Sequence, residues 1–335
     1  MLALILKERG IIHMKKSFAL FLSLFLVFTL ASAQAESYLL KLGTSLSDSD
    51  PITEGLMEFE RIVEEQTQGD LQVEIYPSSQ LGADEDLIEQ CTMGMGIGLI
   101  TDSGRLGTYV TEYGILGGPY LMDDYAEALE ILDTPEYDQM CEKLTASGLR
   151  VLSGNWYAGA RHLFMKQAVT KPADLSGLRV RSSGSAIVNA SVKALGADPT
   201  VCPWSEAYNA LQSKVVDGVE VNYAAAVGSS IYEVTSYICK TGHFQHILTL
   251  VVSDPWFNTL PAEYQTILMD AAQAAGEVAS TGTIEKDADY EQQMVDAGMT
   301  IVEVDLDAFK DATSSVYEEL GLAQLRDAIY TEIGK

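Results

Sequence analysis

PAEYQTILMDAAQAAGEVASTGTIEKDADYEQQMVD, residues 261–296, decides the architecture of this chain. Apolar positions Tyr264, Leu268, Ala271, Ala275, Val278, Tyr290 and Met294 recur at helical spacing, and Pro261 suits a first turn. At 1.5 Å per residue the stretch makes a helix about 54 Å long, several times the usual three turns. One lobe of ordinary size cannot bury it, so it must run along two. Gly276 and Gly282 lie inside it and mark where it would kink or split.

Working outward, strand-like and helix-like patterns alternate from residue 38, which predicts an α/β fold. Tyr38–Thr44 reads as a strand, and Pro51 opens a helix through Ile52, Leu56, Phe59 and Val63 that Gly69 stops. Leu71, Val73 and Ile75 alternate as the next strand. Asp84–Met93 reads as helix and Ile97–Thr101 as strand. A second series has strands at Arg161–Met165, Leu178–Arg181 and Gly218–Asn222, with helices at Ser185–Leu195 and Ser205–Val215. His246–Val252 is an apolar strand able to cross back to the first series. Thr300–Val304 and a helix from Asp307 complete the chain.

The amino terminus reads as an export leader over residues 1–33. Lys15 and Lys16 precede an apolar run, Phe18–Leu30, and a small-residue cleavage site around Ala31-Ser32-Ala33. Met14 reads as the start, with residues 1–13 an upstream extension. The expectation is a periplasmic or otherwise extracytoplasmic protein with no membrane-inserted segment once the leader is removed. The formal net charge is −27, which opposes binding to nucleic acid and to anionic lipid. Cys91, Cys141, Cys202 and Cys239 show no metal-ligand spacing and read as buried free thiols; His162, His243 and His246 read as structural. No cofactor or metal is expected. Gly94, Gly96 and Gly98 follow a helix and not a strand, so they mark a turn and not a dinucleotide loop.

Against this background two arginines twenty residues apart, Arg161 and Arg181, stand on strand-like segments of a very acidic chain. Guanidinium groups fork carboxylates through two parallel hydrogen bonds, so a pair in a dry cleft would clamp a small organic acid.

Several segments, taken in order, carry a family resemblance. They are Tyr76-Pro77-Ser78-Ser79-Gln80-Leu81-Gly82, Asp174-Leu175-Ser176-Gly177-Leu178-Arg179-Val180-Arg181 and Leu195-Gly196-Ala197-Asp198-Pro199. Trp204-Ser205-Glu206-Ala207-Tyr208-Asn209-Ala210-Leu211-Gln212 and Val216-Asp217-Gly218-Val219-Glu220 follow. The chain resembles the substrate-binding subunits of tripartite ATP-independent periplasmic (TRAP) transporters, the dicarboxylate-binding-protein-like family, from Tyr38 to the last helix. The resemblance implies a two-lobe periplasmic binding protein-like fold with hinge strands and a long helix spanning both lobes. Lobe I would hold residues 36–157 and 247–286, and lobe II residues 158–246 and 287–335. It also implies lobe closure on a ligand and delivery to small and large membrane subunits driven by an ion gradient, with the receptor a monomer.

In such proteins the arginine ending the Leu-Arg-Val-Arg strand forks the ligand carboxylate, here Arg181, and one a strand earlier assists, here Arg161. Trp204 would line the pocket or act as a helix staple. Asp102 and Arg105 match positions that contact polar substituents, and Asp84 would do so or serve as a helix N-terminal charge. Two departures stand out: Lys214 replaces a common Gly, and Asn222 sits one residue beyond the usual ligand-contacting Asn, behind Val221. On a strand that shift reverses the face, so either a bulge brings Asn222 to the ligand or the pocket lacks the amide. Glu220 reads as a cap for backbone donors near the hinge.

The resemblance admits C4-dicarboxylates, sugar acids such as uronates, sialic acid, 2-oxo acids and aromatic acids. A second arginine beside Asp102 favours a sugar acid. Trp204, Trp156 and Tyr157 keep an aromatic or branched 2-oxo acid as the alternative. An exported carboxylate lyase is the enzyme alternative, and no His-Glu-x-x-His or Gly-x-Ser-x-Gly motif supports it. A sensor that reports the same ligand without transport is the third class.

Overall fold

The computed structural model describes residues 38–335, and the leader expected over residues 1–33 lies outside them. Strand β1 (Tyr38–Gly43) leads to a helix over Pro51–Gln66. Its start is fixed by Pro51 in the first turn and by the Asp50 carboxylate, which accepts the Ile52 N–H at 2.9 Å. β2 (Leu71–Tyr76), a helix over Asp84–Thr92 and β3 (Ile97–Asp102) follow in the expected order. The remaining strands are β4 (Leu149–Met165), β5 (Arg179–Ser182), β6 (Asp198–Val201), β7 (Gly218–Val221), β8 (Tyr237–Ser253) and β9 (Thr300–Val302). Residues 39–335 pack as one unit around a single sheet of order β2-β1-β3-β8-β4-β7-β5-β6, with β9 on β8.

Two long antiparallel strands join the halves of this sheet. β4 and β8 have 17 residues each, roughly 55 Å if fully extended. On one side they carry β3, β1 and β2, and on the other β7, β5 and β6. Their register slips where the halves meet: Tyr157 faces Ile247, but Ala160 faces Gln245, leaving one extra residue on β4. Gly159, at φ +96°, takes up that bulge.

The long helix runs unbroken from Ala262 to Asp296, 35 residues, or about 52 Å, the span of the two long strands. Neither glycine splits it. Gly276 is needed for close approach, since a Cβ there would stand 2.4 Å from Asn155 Oδ1. The helix touches the first half through Ala275 and Ala279, which cross the 51–66 helix at Gly55, and through Ser280 Oγ, which donates to Asn155 O at 2.8 Å. It reaches the second half through Glu291, which accepts Tyr223 Oη–H and, at 2.9 Å, Lys240 Nζ. The expected stripe fails at Val278, which is 52% exposed; Ala279 and Ser280 are buried instead. Close helix packing selects small residues, which a hydrophobic pattern does not weigh.

Other expectations shift in detail. The helix expected over Ser205–Val215 is one 3-10 turn (Trp204–Glu206) and a short helix over Ala207–Gln212, ending where Lys214 adopts φ +61°. Helices over Tyr125–Leu132, Pro135–Ala146 and Tyr223–Gly228, and strand β6, were not legible. All four cysteines are free, but only Cys91 and Cys239 are buried; Cys141 and Cys202 are half-buried. Among the described residues no helix is long and apolar enough to cross a membrane.

Candidate functional site

Strand polarity places the site. β1 and β3 run parallel in one half, and β5 runs parallel to β6 and β7 in the other. Side chains just beyond the carboxyl ends of parallel strands line crevices in open α/β sheets. Here both sets of ends open on one cavity: Ser45 and Leu46 follow β1, Thr101 and Asp102 end β3, and Ser183 and Asn222 follow β5 and β7. Its cavity volume is about 50 Å³. That is room for one small molecule. All seven sequence candidates (Asp84, Asp102, Arg105, Arg161, Arg181, Trp204 and Asn222) line it.

Arg181 is only 2% exposed. Its Nε and Nη2 both donate to the Cys202 carbonyl, at 3.0 and 2.8 Å, and its Cζ lies 5.4 Å from the centre of the Trp204 ring. Trp204 is in turn held by its Nε1, which donates to Ser229 Oγ at 3.1 Å. Among the described residues no carboxylate lies within ion-pair distance of Arg181. Burial, and then Arg105, pull its pKa below the usual range. A buried guanidinium without an anion is costly, and a bound anion would relieve that cost.

The other two arginines are already compensated. Arg161 pairs with Glu220, to which Nη2 donates at 2.9 Å (Oε1) and 2.8 Å (backbone O), and its Nη1 lies 3.1 Å from His246 Nε2. Glu220 is therefore the counter-ion of Arg161, not a cap for backbone donors; the fold brings the two together across the β4–β7 ladder. Arg105 pairs with Asp102, which also caps the short helix Ser103–Leu106 by accepting the Arg105 N–H at 2.9 Å. Its Nε donates to Glu85 at 2.7 Å, and Nη1 lies 3.6 Å from Asp84.

Asp84 is both of the things its sequence allowed, the first residue of a helix and a cavity wall, and it accepts Thr101 Oγ1–H at 3.0 Å. Burial pushes its carboxyl up, against Arg105. For Asp102 burial acts in the same sense but is outweighed by the positive charges of Arg105 and Arg161, which hold it below the usual carboxylate range.

Asn222 reaches the cavity without a bulge. β7 ends at Val221 and Asn222 is the N-cap of the next helix, so strand alternation no longer governs it, and both residues line the wall. Its Nδ2 donates to Ala158 O at 2.6 Å, which fixes the side chain in the wall. Sequence reasoning missed His246, read as purely structural. It lines the cavity, burial and Arg161 drive its pKa well down, and the neutral ring accepts from Arg161 at Nε2. Its place at the crossing of the hinge strands was the available signal. Trp156 and Tyr157 do not line the cavity: Trp156 is fully buried, and Tyr157 stacks on Tyr125.

Residues 42–324 match the profile of bacterial extracellular solute-binding protein, family 7. The chain belongs to that family. It is 28% identical over 306 residues to the 2,3-diketo-L-gulonate-binding periplasmic protein YiaO of Escherichia coli (strain K12), covering 91% of this chain and 92% of that one. Among solved structures it is similar to a TRAP periplasmic solute binding protein from Escherichia fergusonii in an apo open form. That match has 38% identity, a TM-score of 0.77 and coverage of 88% and 99%. A TRAP protein from Ochrobacterium anthropi with bound L-fuconate matches at 30% identity, TM-score 0.85 and the same coverage. The fold is thus the two-lobe fold of TRAP solute-binding proteins, and these are binding proteins of transporters, not enzymes. Among the described residues no group of His, Cys, Asp and Glu is placed to hold a metal.

Proposed function

We propose that this family 7 protein is an extracytoplasmic receptor that captures a sugar acid between its lobes and delivers it to the membrane subunits of a TRAP transporter. The observation that carries the reading is Arg181, buried at the cavity and lacking an anionic partner. A charge-assisted pair with a ligand carboxylate contributes ~1.5–3 kcal/mol, so micromolar binding needs the rest of the molecule as well. The remaining wall suits hydroxyls: Ser45, Thr101, Ser183, Asp84, Asp102 and Asn222. Among the described residues Trp204 is the one large aromatic side chain on it, and its ring is occupied by Arg181, which disfavours an aromatic acid.

Two relatives, by name, bind acids of this kind, 2,3-diketo-L-gulonate and L-fuconate. The chain superposes better on the L-fuconate-bound relative than on the apo open one despite lower identity. That order is what a closed arrangement of the lobes in this structure would give. The lobes we assign are residues 36–157 with 247–286 and 158–246 with 287–335, meeting at the register slip beside Gly159.

A thermal-shift and calorimetric screen of aldonates, uronates, dicarboxylates and aromatic acids tests the reading, since a ligand of the folded state raises the midpoint. Arg181→Met should abolish the shift while the free protein melts no lower, because a buried unpaired charge is removed. An unchanged shift in that variant sinks the proposal.

A further inference from the structure

Resting on Arg181 as the carboxylate anchor, we infer that Asp84 and Asp102 form a charge filter that admits acids bearing one negative charge and rejects those bearing two. The distribution of charge around the cavity carries this. Three guanidinium groups line it, from Arg105, Arg161 and Arg181. The carboxylates of Asp84, Glu85 and Asp102 gather on Arg105, and that of Glu220 on Arg161. Arg181 alone is left to meet a ligand anion.

A ligand anchored there presents its far end to the rest of the wall. That wall offers two carboxylates, the side chain of Asn222, the hydroxyls of Ser45 and Thr101, and, among the described residues, no uncompensated cation. A terminal hydroxyl can donate to an aspartate. A second carboxylate has no proton to give and meets like charge, which opposes binding most strongly in a desolvated site. Arg105 and Arg161 do not rescue it, because their charge is met and several of their N–H groups are already bonded. The filter acts by repulsion, so it separates sugar acids from C4-dicarboxylates of similar size without a tighter fit to the former.

The test is a matched pair that differs only at the far end: galactonate, ending in a hydroxymethyl group, and galactarate, ending in a second carboxylate. Titration calorimetry on the wild-type protein at pH 8 should give affinities separated by on the order of 100-fold in favour of galactonate. In Asp84→Asn and Asp102→Asn, which keep shape and the helix cap, the ratio should fall by about 10-fold or more, mainly through tighter galactarate binding. Equal affinities in the wild type overturn the filter, as does a ratio that neither variant changes. Arg181→Met separates this from the anchor: if it abolishes binding of both acids while the ratio is unmoved by the aspartate variants, the filter alone fails. If Arg181→Met binds like wild type, the anchor fails and the filter with it.

Discussion

The Trp204 ring covers the guanidinium of Arg181, 5.4 Å from ring centre to Cζ, while the Cys202 carbonyl takes two of its N–H groups. Backbone and aromatic face together fix the plane of a charged group with no carboxylate at ion-pair distance among the described residues; Glu220 acts on it from farther away. Trp204→Ala should therefore weaken acid binding by about 10-fold or more, through loss of a desolvated cation–π contact and of the pre-set orientation. Trp204→Phe should recover most of it. Calorimetry of the two variants checks this, and equal affinities for wild type and Trp204→Ala would reduce Trp204 to packing.

Glu220, 1% exposed, is the counter-ion of Arg161. Removing one partner of a buried pair leaves the other uncompensated, so Glu220→Ala should cost about 3–5 kcal/mol in denaturant unfolding. The double variant Arg161→Met/Glu220→Leu should restore much of that stability. Destabilisation below about 1 kcal/mol in the single variant would mean that the pair is solvated.

Asp50 caps the 51–66 helix with one oxygen, and its other oxygen, Oδ2, is buried without a partner. Burial raises its pKa to about 6 from an ordinary value of 3.8. A raised pKa means that the folded state holds the proton more tightly than the unfolded one. The associated stability is complete below about pH 4 and is lost as pH rises through about 6. Asp50→Asn keeps a good cap without the charge. It should raise stability at pH 8 by up to about 3 kcal/mol and flatten the pH dependence between 4 and 6, as followed by urea unfolding across pH. An unaltered profile would place the titration elsewhere.

Lys214 stands at φ +61°, in the left-handed region that favours glycine. A left-handed backbone costs an L-residue about 1–2 kcal/mol. Lys214→Gly should stabilise the protein by about 0.5–1 kcal/mol after the greater chain entropy of glycine is deducted. Chemical denaturation is the measurement, and a loss of stability would show that the strain is absent.

Much of the architecture was legible because it rests on local rules. Helical spacing and Pro261 announced the long helix, alternation announced β2, and the arginine next to the last residue of β5 stood out by type and position. The failures have a common form. Val278 was assigned to the buried face because it is apolar, yet a close helix crossing buries Ala279 and Ser280 instead. Asn222 was ambiguous because alternation applies only while a strand lasts, and β7 stops one residue before it. His246 was discounted because nothing local distinguishes a wall from a core position on a strand.

The chain's own residues determined an alternating α/β frame, a helix too long for one lobe, and two guanidinium groups on strand-like segments of an otherwise acidic protein. What no spacing decided was which guanidinium would be left unpaired. Arg161 finds Glu220 59 residues away, Arg105 finds Glu85 20 residues before it, and Arg181 finds only a carbonyl. Ion pairing depends on distances of a few ångströms between segments remote in sequence, and only the folded sheet sets those distances.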